Sequence, residues 1–309
     1  MNLSVWICLS HLFEMKIFVT GASGFIGKNL IRILQKEGHE LTINIRIGSP
    51  SPTGEDINAY SLGRGKLEED IEFFIDESFD GVIHLASLYL ANHKSEDVGH
   101  LVDSNLKFGT IVLECASKAK VKWFINTGTY WQNYHDAEYS PVNLYAATKQ
   151  AFEDIARYYI EANYIKFCTI RLFDTYGPGD TRPKIFNLWN KIAESGEVLE
   201  MSPGDQLLDI SYIDDIIDAY IKLINYLSNQ YNSVKNGSVF AVKADKRYSL
   251  KELAKVFEEV SGQKLNIKWG GKAYREREVM IPWEGGLSIP GFRPKISLKE
   301  GIKLFLSQE

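Results

Sequence analysis

With 309 residues, 45% of them hydrophobic and 24% charged, the chain is long enough for a full α/β sheet with a smaller second region, and its composition is not that of a disordered segment. A formal net charge of −5 argues against a nucleic-acid binder, whose footprint is a clustered basic surface, so any phosphate site must be local. Three cysteines, Cys8, Cys115 and Cys168, are odd in number and unevenly spaced. They provide neither a disulfide framework nor a CxxC metal site, and they point to a reducing, cytoplasmic compartment.

Residues 1–14 contain an apolar run from Leu3 to Leu9 but neither a basic n-region nor a small-residue cleavage site, so no signal peptide is read there. The segment is expected to be a dispensable leader, with the fold beginning at Met15. No run of about 18 apolar residues occurs elsewhere, and no membrane span is expected.

From Met15 onward, apolar β-rich runs at residues 17–20, 41–45, 81–85, 123–127 and 167–172 alternate with helix-period segments at 25–37, 67–75, 98–118 and 143–161. That alternation predicts βαβ units in a doubly wound parallel sheet of the Rossmann kind, covered on both faces. The dinucleotide-binding domain is expected to span residues 15–180. After Tyr176-Gly177-Pro178-Gly179 the pattern becomes irregular, with Pro183, Pro203, Pro282, Pro290 and Pro294 among short strands and helices near 212–227 and 249–260. Residues 181–309 are therefore read as mainly substrate-binding, with 205–227 returning to the dinucleotide domain.

Directly after the first strand comes Gly21-Ala22-Ser23-Gly24-Phe25-Ile26-Gly27, which opens the first helix. The first glycine permits the tight turn, the second lets a pyrophosphate approach the backbone, and the third lets helix and strand pack closely. At the end of the second strand, where an NAD enzyme offers an acidic residue to the ribose hydroxyls, the chain reads Asn44-Ile45-Arg46. A guanidinium suits a 2′-phosphate, so NADP(H) is favoured, with NAD(H) as the alternative. Further on, Tyr145-Ala146-Ala147-Thr148-Lys149 opens a predicted helix and puts Tyr145 and Lys149 one turn apart on one face. A free tyrosine has a pKa of about 10. A nearby lysine cation, and the positive nicotinamide ring of an oxidised cofactor, are expected to favour its phenolate and bring proton transfer into range.

Taken together, these motifs resemble the extended short-chain dehydrogenase/reductases, the NAD-dependent epimerase/dehydratase family, from Met15 to near the C-terminus. Asp80-Gly81-Val82-Ile83-His84-Leu85-Ala86-Ser87, Asn105 ahead of Gly109-Thr110, Arg171-Leu172-Phe173 before Tyr176-Gly177-Pro178-Gly179, and Ser211-Tyr212-Ile213-Asp214-Asp215 carry the same likeness. It implies a cofactor site of Gly21, Gly24, Phe25, Ile26, Gly27, Arg46, Leu85, Ala86 and Lys149, and a catalytic set of Thr129, Tyr145 and Lys149. Thr129 also belongs to the substrate site. Asn105 resembles the family's structural asparagine, or is a helix-bend residue without a catalytic role.

In the family's sugar 4,6-dehydratases an Asp-Glu pair follows the hydroxyl residue, whereas here Tyr130-Trp131 stands there, which argues against that activity. The short stretch from Thr129 to Tyr145, and the tail with Tyr274-Arg275-Glu276-Arg277 and Pro290-Gly291-Phe292-Arg293-Pro294, resemble the CDP-abequose and CDP-paratose synthase group. That resemblance implies NADPH-dependent reduction of a nucleotide-linked 4-keto-deoxysugar, a CDP-4-keto-3,6-dideoxyhexose or similar, in surface-polysaccharide sugar biosynthesis. Arg275 or Arg277 would face the diphosphate of the nucleotide sugar. One departure is Leu208 before Asp209, where many relatives have Arg, and it weakens transfer of a diphosphate contact to that spot. A nucleotide-sugar epimerase that retains its cofactor is the alternative, and a non-catalytic dinucleotide sensor a further one. No metal site is expected, and His84 reads as a packed structural histidine. A homodimer through sheet-flanking helices is what the resemblance implies for assembly.

Overall fold

The protein is described as a computed structural model over residues 14–46, 57–63 and 65–307. The expected leader, residues 1–14, lies outside the described residues except for Glu14, as does Cys8.

Seven parallel strands form the central sheet: β1 Lys16–Thr20, β2 Glu40–Asn44, β3 Ile57–Tyr60, β4 Gly81–His84, β5 Trp123–Thr129, β6 Lys166–Leu172 and a last strand, Ser238–Val242. Their spatial order is β3, β2, β1, β4, β5, β6 and then Ser238–Val242. The order reverses between β1 and β4, which is where a doubly wound sheet opens a crevice at its carboxyl edge. The helices are α1 Phe25–Lys36, α2 Leu67–Glu77, α3 Asp97–Val102, α4 Phe108–Lys118, α5 Leu144–Glu161, α6 Ile185–Ser195, α7 Ile213–Asn229, α8 Leu250–Ser261 and α9 Leu298–Leu306.

Both faces of the sheet are buried, which explains why its strands read as nearly continuous apolar runs. On β1, Ile17 and Val19 pack toward α1 and α7, while Phe18 between them packs on the opposite face with Phe74 of α2 and Val112 of α4. The amphipathic α1 buries Leu30, Ile31 and Leu34 and leaves its lysines outside. Helix α5 starts where the Asn143 side chain accepts the Ala146 N–H at 3.0 Å.

Two features escaped the periodicity. β3 is a four-residue edge strand of mixed polarity. Ser238–Val242, inside the stretch read as substrate-facing, pairs in parallel with β6 and extends the sheet. The helix predicted over 98–118 is interrupted by a π turn, Asp103–Lys107, which joins α3 to α4. The remaining short strands, such as Asp174–Tyr176 against Ile210–Tyr212, build the smaller region beyond the carboxyl edge. Among the described residues, no helix is long and apolar enough to cross a membrane.

Candidate active site

A cleft of about 250 Å³ opens at the carboxyl edge of β1, β4, β5 and β6. The glycine loop forms one wall, with Gly21, Gly24, Phe25, Ile26 and Gly27. Leu85, Ser87 and Tyr89 follow β4; Thr127 to Trp131 close β5 and its exit; Tyr145, Asp174, Arg182 and Lys184 complete the lining.

Gly21 has φ +73°, and a Cβ there would stand 2.6 Å from Ala86 N and 2.7 Å from the Leu85 carbonyl carbon. A Cβ on Gly27 would lie 2.2 Å from Gly21 O. The loop therefore tolerates no side chain at either position. Gly24 caps α1 with no side-chain hydrogen bond, and no acidic residue occupies the first turn, so the helix's positive end is left open toward the cleft. The predicted contacts Leu85 and Ala86 lie against this loop, and Ala86 N donates to Thr20 Oγ1 at 3.2 Å. Thr20 Oγ1 is also 2.8 Å from Nδ1 of the fully buried His84, whose basicity burial pushes well below the usual range. His84 is thus a packed neutral imidazole. No cluster of metal-ligating residues occurs among the described residues.

Arg46 is exposed just past β2, and Asn44 Oδ1 accepts the Leu62 N–H at 3.1 Å. The segment following Arg46, residues 47–56, lies outside the described residues.

Tyr145 and Lys149 stand one turn apart at the start of α5, but their electrostatics differ from the expected pairing. Burial pushes the Tyr145 phenol up to about 12, opposed chiefly by a hydrogen bond with the Ser87 side chain. Lys149 is 1% exposed, its Nζ has no hydrogen-bond partner, and burial pulls it down to about 8. The expectation that the lysine charge favours the phenolate is therefore corrected. In the protein alone, burial outweighs the Ser87 hydrogen bond and the Arg182 charge that oppose it, and the phenol holds its proton throughout the neutral range.

Thr129 ends β5 and caps the short 3-10 turn Tyr130–Gln132: its Oγ1 accepts the Trp131 N–H at 3.3 Å, while its own N–H donates to Gln132 Oε1 at 2.9 Å. With one acceptor lone pair of Oγ1 engaged by Trp131 N–H, the hydroxyl still has its proton available as a donor.

Asn105 lies at the centre of the π turn, fully buried. Its Oδ1 accepts from Leu88 N at 2.7 Å and Ser87 Oγ at 3.2 Å, while Nδ2 donates to Leu88 O and Thr148 Oγ1, both at 3.0 Å. Thr148 Oγ1 in turn donates to the Tyr145 carbonyl at 2.8 Å. Asn105 thus ties the loop after β4 to the first turn of α5, and the widened π turn is what brings it there. Asn105→Ala is expected to strand these buried backbone groups and lower unfolding free energy by about 1–3 kcal/mol, read from urea denaturation.

The two predicted substrate arginines have separate positions. Arg275 is half exposed and lies 5.7 Å over the ring of Trp131, at the cleft wall. Arg277 donates to Pro141 O at 3.0 Å and Ser140 Oγ at 2.7 Å, which anchors the segment leading into α5. At the departure noted above, Asp209 is buried and accepts from Arg247 Nε at 3.1 Å, so a distant arginine serves it within the protein.

Sequence reasoning missed Ser87, Tyr89, Asp174, Arg182 and Lys184 as lining groups. Lys184 pairs with Asp174 at 3.3 Å and lies 4.8 Å over Tyr89, and Tyr130 Oη donates to the same carboxylate at 3.3 Å. Single residues on the segments after β4 and β6 carry no periodic signal. Only the spacing of Thr129 and Gln132, that of a capping box, was available in advance.

The family model of the NAD-dependent epimerase/dehydratase family matches residues 17–236. The chain belongs to that family. Among curated members it is 30% identical to CDP-abequose synthase of Yersinia pseudotuberculosis over 290 residues, covering 93% of this chain and 98% of the relative. It is 28% identical to CDP-abequose synthase of Salmonella typhimurium, covering 94% and 97%. Among solved structures of the same fold, UDP-glucuronic acid 4-epimerase from Bacillus cereus in complex with UDP-glucuronic acid and NAD superposes with a TM-score of 0.80 at 22% identity, over 95% of this chain and 98% of that one.

Proposed function

We propose that this epimerase/dehydratase family member reduces the keto group of a nucleotide-linked 4-keto-deoxysugar, of the CDP-4-keto-3,6-dideoxyhexose kind, with NADPH as reductant. The reading rests on one observation above all: a protonated, desolvated phenol lines a glycine-walled cleft, a buried, unpartnered ammonium stands one helical turn from it, and the cleft's threonine is followed by aromatic side chains instead of the dehydratase's carboxylates. The full-length likeness to CDP-abequose synthases supports the substrate class.

The residues present fit a dinucleotide. Gly21 and Gly27 admit no side chain, the first turn of α1 leaves amide donors free, and the Lys149 ammonium is without a partner in the protein. Gly21, Gly24, Phe25, Ile26, Gly27, Leu85 and Ala86 would hold the cofactor, with Lys149 donating to its nicotinamide ribose. When bound, the reduced cofactor supplies the hydride.

The chain's own residues handle the proton. Tyr145 donates its phenolic proton to the oxygen at the reduced carbon, and Thr129 donates a hydrogen bond to the same oxygen as negative charge develops on it. Ser87 holds the Tyr145 side chain through its hydrogen bond. The carboxylate that lines the cleft, Asp174, is already satisfied by Lys184 and Tyr130 and is not free for an elimination. Arg275, over Trp131 at the wall, is the better placed of the two arginines for the substrate diphosphate.

The test is incubation with NADPH and CDP-, dTDP-, GDP- or UDP-linked 4-keto sugars. One oxidised cofactor released per reduced sugar is expected. Interconversion of C4 epimers without net NADPH consumption would make the chain an epimerase, and cofactor binding with neither product would make it a sensor.

Arg46 is assigned to the 2′-phosphate, since the end of β2 offers a guanidinium and no carboxylate. Arg46→Asp is expected to shift the ratio of NADPH to NADH efficiency toward NADH by at least about tenfold, the equivalent of one charge-assisted hydrogen bond. An unchanged ratio would remove Arg46 from the site.

We assign the enzyme to the cytoplasm, consistent with the free, buried Cys115 and Cys168. A homodimer would use α3 and α5, which pack side by side and expose Val98, Val102, Ile155 and Tyr158.

A further inference from the structure

Behind the cleft lies a second set of buried polar side chains that takes no part in the proton transfer. Gln132 is fully buried; besides accepting the Thr129 N–H, it donates through Nε2 to Gln150 Oε1 and to Glu153 Oε1, each at 2.8 Å. Glu153 Oε2 accepts from Arg171 Nη2 at 3.0 Å, with both side chains at most 10% exposed. Arg171 also donates to Asn133, and its guanidinium lies 5.0 Å from the centre of the Trp283 ring. The network crosses β5 at Gly128, where a Cβ would stand 2.9 Å from Gln132 Oε1 and 3.1 Å from Glu153 Oε1. Glu153 follows Lys149 by one turn on the same face of α5.

We propose that Glu153 is a positioning residue: along α5 it sets the charge of Lys149, and through Gln132 it holds Thr129, so one buried carboxylate coordinates two catalytic groups on different elements. An ion pair buried this deeply adds little to stability over an apolar replacement, so a role in tuning the site accounts for it better than a role in the fold. Glu153 opposes the effect of burial on Lys149 by favouring its ammonium. From β4, the other titratable group against Lys149 is His84, which burial holds neutral. From β6, Arg171 lies beyond the carboxylate and partly neutralises it. The inference rests on the reading of Lys149 as a cofactor-holding group.

The test is the dissociation constant of NADPH, measured by fluorescence titration from neutral to alkaline pH. The unmodified protein should lose affinity along a limb near pH 8, and Lys149→Met should abolish that limb. Glu153→Gln should move the limb to lower pH by roughly one unit, the effect of losing one nearby opposite charge. Glu153→Asp should return it toward its original position. Arg171→Gln, which exposes the carboxylate's full charge to Lys149, should move the limb the other way. A missing limb, or one that survives in Lys149→Met, would sink the assignment of Lys149 itself. A limb that Lys149→Met removes, but that neither Glu153→Gln nor Arg171→Gln displaces, would sink only the role of Glu153. If Glu153→Gln does not fold, the Arg171→Gln shift decides. Failure of both to fold would show the network to be part of the structural core and overturn the proposal.

Discussion

Tyr145→Phe is expected to lower turnover by about two to four orders of magnitude, the usual loss when a positioned acid is removed, while folding and cofactor affinity stay close to those of the unmodified protein. The substitution keeps the ring, which packs edge-on against Tyr89 at 5.1 Å, and deletes only the hydroxyl. Of the other hydroxyls in the cleft, Thr129 is far too weak an acid to release its own proton, Tyr130 already donates to Asp174, and Tyr89 lies under Lys184. Because burial holds the phenol near 12, its ionisation should not limit activity in the working range. Single-turnover rates with thermal melts in parallel check this. A retained rate would place the acid elsewhere, and a collapse of folding would make Tyr145 chiefly structural.

Lys149→Met should act in opposite directions on function and stability. The ammonium is buried without a partner, and the fall from 10.5 to about 8 means that the folded state disfavours the charge. That cost is fully present below about pH 8, shrinks as pH rises from there toward 10.5, and is gone above it, because the unfolded chain binds the extra proton throughout that window. Met fills similar space without the charge. The cofactor-free variant should therefore be more stable than the unmodified protein at pH 7, by at most roughly 3 kcal/mol, and the difference should shrink in alkaline buffer. NADPH should bind about 10–100-fold more weakly, since hydrogen bonds from a charged donor are lost. Urea melts at two pH values and cofactor titration read the two effects separately. A variant less stable than its parent at pH 7 would mean that Lys149 is paired in solution.

Several parts of this site were legible from local sequence because their physics is local. The glycine loop needs a positive φ at Gly21 and no Cβ at Gly27, and those demands are met only where a strand runs directly into a helix. The Tyr145 to Lys149 spacing fixes one helical face whatever surrounds it, and the apolar runs of β1, β4 and β5 declare a sheet buried on both sides.

Other features depended on residues far apart in the chain. The sequence suggested a lysine that would favour a phenolate, but whether a charge or its desolvation prevails is decided by what closes over both groups, and here burial prevails. Asn105 could be read as a structural asparagine or a helix-bend residue; only its reach to Leu88 and Thr148, across 43 positions in the latter case, shows what the π turn accomplishes. The strand Ser238–Val242 looked like part of a peripheral region because its pairing with β6 spans about seventy residues. Glu153 carried no motif, and the motif letters of Arg171 and Gln132 did not join them to it; the three became a unit only when β5, β6 and α5 packed together with Gly128 open between them. Periodicity and turn chemistry are short-range and survive in one dimension; desolvation, hydrogen-bond satisfaction and charge pairing belong to the packed chain and were set only there.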